Sequence, residues 1–167
     1  QRGKLMEENI IEIRMADMQI ATTPSRLVTR ALGSCLGITL YHPLKKTGAM
    51  AHPMLPDIDK ARMQSHSYRY VNSVIRKMVE ELEKLGSSRN NLIAKLFGGA
   101  HMFSFIAADS ILNVGEKNIA MARVVFEELA IKIAGEEVGG TFGRTIELNL
   151  ENGKVSVDTI SWGRKEV

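Results

Sequence analysis

A single cysteine, Cys35, stands in a chain of 167 residues. One thiol cannot close an internal disulfide, so covalent staples are excluded and nothing in the chain asks for an oxidising compartment. Aromatic residues are also few: five Phe, three Tyr and one Trp. Lys and Arg are dispersed rather than interleaved with them, which excludes the stacking platforms of single-strand nucleic-acid binders. Charge of one sign is not in large excess. A net +3 suits an acidic protein partner better than nucleic acid. No apolar run is long enough to cross a bilayer, and no secretory leader is legible, so membrane insertion is not expected. The chain opens on Gln1 rather than Met, which leaves a leader open; cytoplasm is the expected compartment. No Cys-x-x-Cys or His-Glu-x-x-His spacing occurs, so no metal is expected. Gly98-Gly99 is not continued by the Lys-Ser/Thr of a phosphate loop, and no cofactor is expected.

The apolar pattern that is present fits one α+β domain. Residues 1–8 are polar and read as a flexible N-terminal segment. Residues 9–21 alternate through Ile11, Ile13 and Met15, as a half-buried strand does. A turn at 21–25 leads to a second strand over 27–32. Residues 36–41 and 48–55 read as two strands joined by a turn containing His42, Pro43 and Gly48; the two are expected to be neighbours in one sheet, antiparallel if the loop closes a hairpin. A helix is expected within 60–85, on Val71, Ile75, Met78, Leu82 and Leu85, stopped by Gly86. Residues 92–97 read as a buried strand, 107–114 as weakly patterned, and 115–129 as a second helix. Residues 131–138 suggest a strand. Residues 144–150 and 155–160 read as a hairpin about Asn152-Gly153. The domain is expected to span 9–160, with 161–167 a polar tail.

The chemistry concentrates in residues 29–56. Cys35 lies in Gly33-Ser34-Cys35-Leu36-Gly37. A lone cysteine is often a small buried hydrophobe. To act, it needs activation, because a free thiol with a pKa of about 8.5 is only a few per cent ionised at neutral pH. A histidine in reach can serve as its base, or hold it as a thiolate–imidazolium pair. His42 falls in a polar turn and reads as exposed. His66 opens a helix, and His101 could line a cleft. His52 alone sits in an apolar run on the strand beside the cysteine, and is the best base candidate. Gly33 and Gly37 could adopt positive φ and turn backbone N–H groups toward an oxyanion.

The segments Leu32-Gly33-Ser34-Cys35, Gly48-Ala49-Met50-Ala51-His52-Pro53-Met54-Leu55-Pro56 and Lys95-Leu96-Phe97-Gly98-Gly99-Ala100-His101, with Asn113-Val114-Gly115, Asn118 and Val138-Gly139-Gly140-Thr141-Phe142-Gly143-Arg144, resemble in order those of the chemoreceptor glutamine deamidases, the CheD family. The resemblance implies a layered α/β sandwich of mixed sheets flanked by two helices, similar to the catalytic domain of deamidating toxins. It implies hydrolysis of glutamine side-chain amides on methyl-accepting chemotaxis receptors through a cysteine thioester. It places the nucleophile on Cys35, the histidine on His52 and an imidazole-orienting hydroxyl on Thr29. It also implies a CheC-type phosphatase partner. Gly33 and Ser34 are the expected oxyanion positions, and Gly98, Gly99 and Ala100 the expected pocket lining. Two other readings use the same residues: a non-catalytic module regulating such a phosphatase, and another thiol hydrolase, a receptor methylesterase or a peptidase.

Overall fold

The computed structural model describes residues 9–102 and 113–167. Along them run β1 (Ile10–Glu12), β2 (Met18–Thr22), β3 (Arg26–Leu32), β4 (Leu36–His42), β5 (Thr47–Ala51), α1 (Val71–Lys84), β6 (Ile93–Gly98), α2 (Val114–Glu128), β7 (Ile133–Val138), β8 (Arg144–Asn149), β9 (Val155–Thr159) and β10 (Gly163–Glu166). Five strands form a sheet in the order β1-β3-β8-β9-β10, and five form a second in the order β2-β5-β4-β6-β7. Both sheets are mixed: β1 runs parallel to β3 and β6 parallel to β7, while the other pairs are antiparallel. The helices cover one face of the second sheet, and its other face packs on the first. The class is the expected α+β sandwich, in three layers.

Strand β4 is central in the second sheet and buried along its whole length. Its apolar run follows from that position, since a strand covered on both faces does not alternate in polarity. Leu36, Ile38 and Leu40 join Val74, Ile75, Met78 and Phe126 under the helices, and Tyr41 joins Leu148 and Val155 between the sheets. Each such aliphatic side chain contributes about 1.5–3 kcal/mol by leaving water. Gly37 is small for a packing reason. A Cβ there would lie 2.5 Å from Ile146 Cδ1 and 2.8 Å from Leu32 Cδ1. Neither Gly33 nor Gly37 uses the positive φ open to glycine; Gly98 and Gly99 do, at 91° and 64°.

Several expectations change in detail. The strand read over 9–21 is two strands, β1 in one sheet and β2 in the other, because the chain crosses between layers through a turn with Ala16 at φ 61°. The alternation continues across the crossing and hides it. The strand expected over 48–55 stops at Ala51. The helix within 60–85 is α1, and Gly86, at φ 88°, ends it by donating to Glu83 O. His42, expected exposed, is buried as the last residue of β4, where its Nδ1 accepts the Lys45 N–H at 3.2 Å and closes the hairpin. The segment from residue 161, read only as a polar tail, carries β10. This strand is exposed at every position and pairs with β9, and its charges suit a sheet edge. Residues 1–8 and 107–112 lie outside the described residues.

Candidate active site

The β4–β5 pairing brings the two chemical candidates to one end of the second sheet. Ile38 faces Ala51 in the antiparallel register, so Cys35, just before β4, and His52, just after β5, leave the pair on the same side. The Leu36 N–H donates to Pro53 O at 3.2 Å and ties the two segments together. Thr29 comes from β3 in the other sheet and is fully buried. The crossing between β1 and β2 completes the frame. Ala16 N–H donates to His52 O at 2.8 Å, and His52 N–H donates to Asp17 O at 3.1 Å. Both backbone polar groups of His52 are therefore held by the turn that the hydrophobic pattern concealed.

Hydrogen-bond accounting fixes the tautomer of the imidazole. Thr29 Oγ1 lies 2.7 Å from Ile13 O and 2.7 Å from His52 Nδ1. The carbonyl can only accept, so the single hydroxyl proton goes to Ile13. Nδ1 must then carry its own proton and donate it to Thr29. Nε2 is left with a free lone pair, buried and without a partner among the described residues. A neutral imidazole protonated on Nδ1, with Nε2 open, is the form a general base requires.

Burial depresses the His52 pKa from 6.5 to about 4. The Cys35 thiol, half-buried, is pushed up by burial and drawn partly back by a hydrogen bond from its own backbone N–H. His52 Nε2 makes no hydrogen bond to Cys35 Sγ in this structure, and burial disfavours both imidazolium and thiolate, so of the two arrangements open from sequence a neutral thiol and a neutral imidazole are favoured at rest. A stability effect follows. Between pH 6.5 and 4 the unfolded chain binds a proton at this position and the fold does not. The contribution is complete above pH 6.5 and is lost as pH falls through 4, by about 3 kcal/mol. Denaturant midpoints measured at pH 7 and 4.5 should fall in the wild type, and His52→Gln should remove that share of the fall.

The loop around Cys35 is held by its carbonyls. Gly33 O accepts Ala100 N–H at 2.8 Å, Cys35 O accepts Gly99 N–H at 2.9 Å, and Ser34 O accepts Asn118 Nδ2 at 3.0 Å. Among the described residues, the Ser34 N–H meets no backbone carbonyl, and the Cys35 N–H meets its own sulfur rather than a carbonyl. These are the donors an oxyanion could use. Gly98, Gly99 and Ala100 are all buried. The N–H groups of Gly99 and Ala100 brace the loop, and a Cβ on Gly98 would lie 2.4 Å from Cys35 O. Of the three, Gly99 lines a cavity of about 210 Å³ together with His101, Asn113, Glu116 and Ile119. His66 is exposed beside a separate cavity with Tyr68 and Arg69. Asn118 was visible beforehand only within a family-like segment, because a buried bridging amide leaves no mark on hydrophobic periodicity. Among the described residues no cluster of three or more His, Cys, Asp or Glu could hold a metal, and no helix is long and apolar enough to cross a membrane.

Residues 54–159 match the family model described as CheD chemotactic sensory transduction. Thr29, Cys35 and His52 precede that match, but full-length relatives cover them. A protein of Caldanaerobacter subterraneus subsp. tengcongensis named probable chemoreceptor glutamine deamidase CheD is 40% identical over 162 residues, 97% of this chain and 100% of the relative. The chemoreceptor glutamine deamidase CheD of Halalkalibacterium halodurans is 38% identical over 160 residues, 95% of this chain and 99% of the relative. A Neisseria meningitidis crystal structure of the DUF152 family superposes with a TM-score of 0.48 at 10% identity, covering 80% of this chain and 63% of that one. On the family match and on these near full-length relatives, the chain belongs to the CheD family.

Proposed function

We propose that this chain is a protein-glutamine deamidase of the cytoplasm. Its substrates are glutamine side chains of methyl-accepting chemotaxis receptors, and Cys35 is its nucleophile. The family supports the substrate class, since relatives along nearly the whole chain are named for deamidating chemoreceptors. One observation carries the chemistry: the bond from Nδ1 of His52 to Thr29, which leaves Nε2 free to take a proton.

In this reading His52 Nε2 removes the Sγ proton as the sulfur attacks Cδ of the glutamine. The carbonyl π electrons move onto oxygen, where the Ser34 and Cys35 N–H groups receive them. The imidazolium keeps its Nδ1–H on Thr29 and delivers the new Nε2 proton to the departing nitrogen. Ammonia leaves and a thioester remains. Water then adds to the thioester while Nε2 accepts its proton. Collapse returns that proton to sulfur and releases glutamate. The balance is one amide and one water giving one carboxylic acid and one ammonia.

The mildly basic surface suits receptor helices of acidic character. A CheC-type phosphatase is the second partner in this reading; its support is family resemblance, and co-elution of the two purified proteins tests it. A receptor methylesterase or a peptidase would share the Cys–His pair, so the reaction type needs its own test. Receptor peptides carrying Gln or methyl-Glu at one position are incubated with the protein. Ammonia release from the Gln peptide, well above methanol release from the ester, is the expected result. Preferential ester hydrolysis, or cleavage of the peptide chain, rejects deamidation. Absence of any turnover favours a non-catalytic module.

A further inference from the structure

Asn118 is the one side chain among the described residues seen to bond both segments of the candidate site. It projects from the second turn of α2 and is fully buried. One Nδ2 proton goes to Ser34 O at 3.0 Å, in the nucleophile loop. The other goes to Met54 O at 3.1 Å, two residues beyond His52. Both protons of the amide are thereby used, one on each side of the Cys35–His52 pair. The backbone bond from Leu36 to Pro53 also ties these segments directly.

The helix that carries Asn118 is itself seated against the loop brace. Gly115, one turn earlier, sits where a Cβ would meet Ala100 O at 2.4 Å and Gly99 O at 2.6 Å. Ala100 and Gly99 in turn donate to the carbonyls of Gly33 and Cys35. The start of α2 thus touches the nucleophile loop twice, once through its brace and once through Asn118.

Packing alone does not account for an amide here. The neighbouring buried positions on the helix hold Ala122, Val125 and Phe126. Asparagine is a weaker helix former than aliphatic leucine. Its Oδ1 is buried without a partner among the described residues, which costs free energy that an apolar side chain would avoid. What the amide supplies in return is two donors in a fixed geometry, aimed at the two segments whose separation sets the proton transfer.

We propose that Asn118 is a positioning residue: it holds the Cys35 loop and the His52 segment in register, and so sets the alignment of thiol and imidazole. The inference rests on the Cys35–His52 reading of the site. Small displacements of reacting groups cost turnover steeply while leaving substrate affinity nearly intact. Asn118 should therefore act on kcat rather than KM.

The test measures kcat and KM for deamidation of a receptor fragment by wild type, Asn118→Ala, Asn118→Ser and Cys35→Ala, with a thermal midpoint for each. Rates are expressed per folded molecule. Asn118→Ala should lower kcat by about ten- to a hundredfold with KM within about twofold. Asn118→Ser, which keeps one donor, should fall between. A purely structural Asn118 would lower the thermal midpoint and leave kcat per folded molecule at the wild-type value, and that result overturns the proposal. So does a change confined to KM. Should Asn118→Ala fail to fold, the Ser variant decides on the same criterion. Wild-type turnover by Cys35→Ala would instead overturn the underlying reading, whatever Asn118 does.

Discussion

Thr29→Val is expected to lower turnover on the order of a hundredfold with little change in KM. Valine is close to threonine in outline but lacks the buried hydroxyl, so rates are compared per folded molecule. What is lost is the oxygen that accepts the Nδ1 proton of His52 and donates to Ile13 O. The buried imidazole then has no partner to favour the tautomer with Nε2 open, and Ile13 O loses its side-chain donor. Forcing the wrong histidine tautomer in a serine-protease triad costs about 10⁴ in kcat. Here the tautomer is released rather than reversed, and a neutral hydroxyl gives the imidazolium less than a carboxylate does, so the loss is smaller. Thr29→Ser keeps the oxygen and should retain most of the activity. Steady-state kinetics on a receptor fragment distinguishes the two variants. Equal rates for Val and Ser would show that the hydroxyl does not orient the imidazole.

The neutral resting pair bears on how the site works. A histidine held to about 4 by burial is a weak base for a thiol that burial raises. The charge-separated pair is therefore disfavoured until something stabilises it. In the proposed mechanism the incoming glutamine is that partner, since attack would move negative charge from sulfur onto an oxygen facing the Ser34 and Cys35 N–H groups. Such a site keeps its only thiol largely un-ionised between substrates, which limits oxidation and adventitious alkylation.

Much of this site was legible in the chain because it is local. Cys35 and His52 flank a hairpin whose turn residues and apolar runs are plain, and antiparallel pairing carries both to one end. Thr29 was legible only through resemblance, because it belongs to the other sheet, and no periodicity says which residue of one layer lies over which of another. The crossing at residues 13–17 was hidden for a related reason: alternation persists while the chain changes sheets. It supplies Ile13 O, Ala16 N–H and Asp17 O, three backbone groups that hold Thr29 or His52 and have no side-chain identity to read. Glycine misled in position rather than in kind. Gly37 yields to Ile146 and Leu32, while positive φ falls on Gly98 and Gly99 at the end of β6, where Gly99 and Ala100 brace the loop. His42 looked exposed because its sequence neighbours are turn formers, yet the last residue of a central strand is still within the core.

Cys35→Ala should abolish deamidation, because alanine keeps the small half-buried volume of the loop and removes only the sulfur. The carbonyl bonds of Gly33, Ser34 and Cys35 to Ala100, Asn118 and Gly99 do not involve the side chain, so the fold of the loop should survive. Without sulfur no thioester can form, and the Nε2 base has no nucleophile but water. Losing the attacking atom of a nucleophile–base pair typically removes several orders of magnitude of rate. The most direct measurement is mass spectrometry of a purified receptor fragment incubated with wild type and with Cys35→Ala, each checked for folding by thermal melting. The wild type should convert specific glutamines to glutamate while the folded Ala variant leaves them as amides. Conversion of the same glutamines by the Ala variant at the wild-type rate would contradict the account.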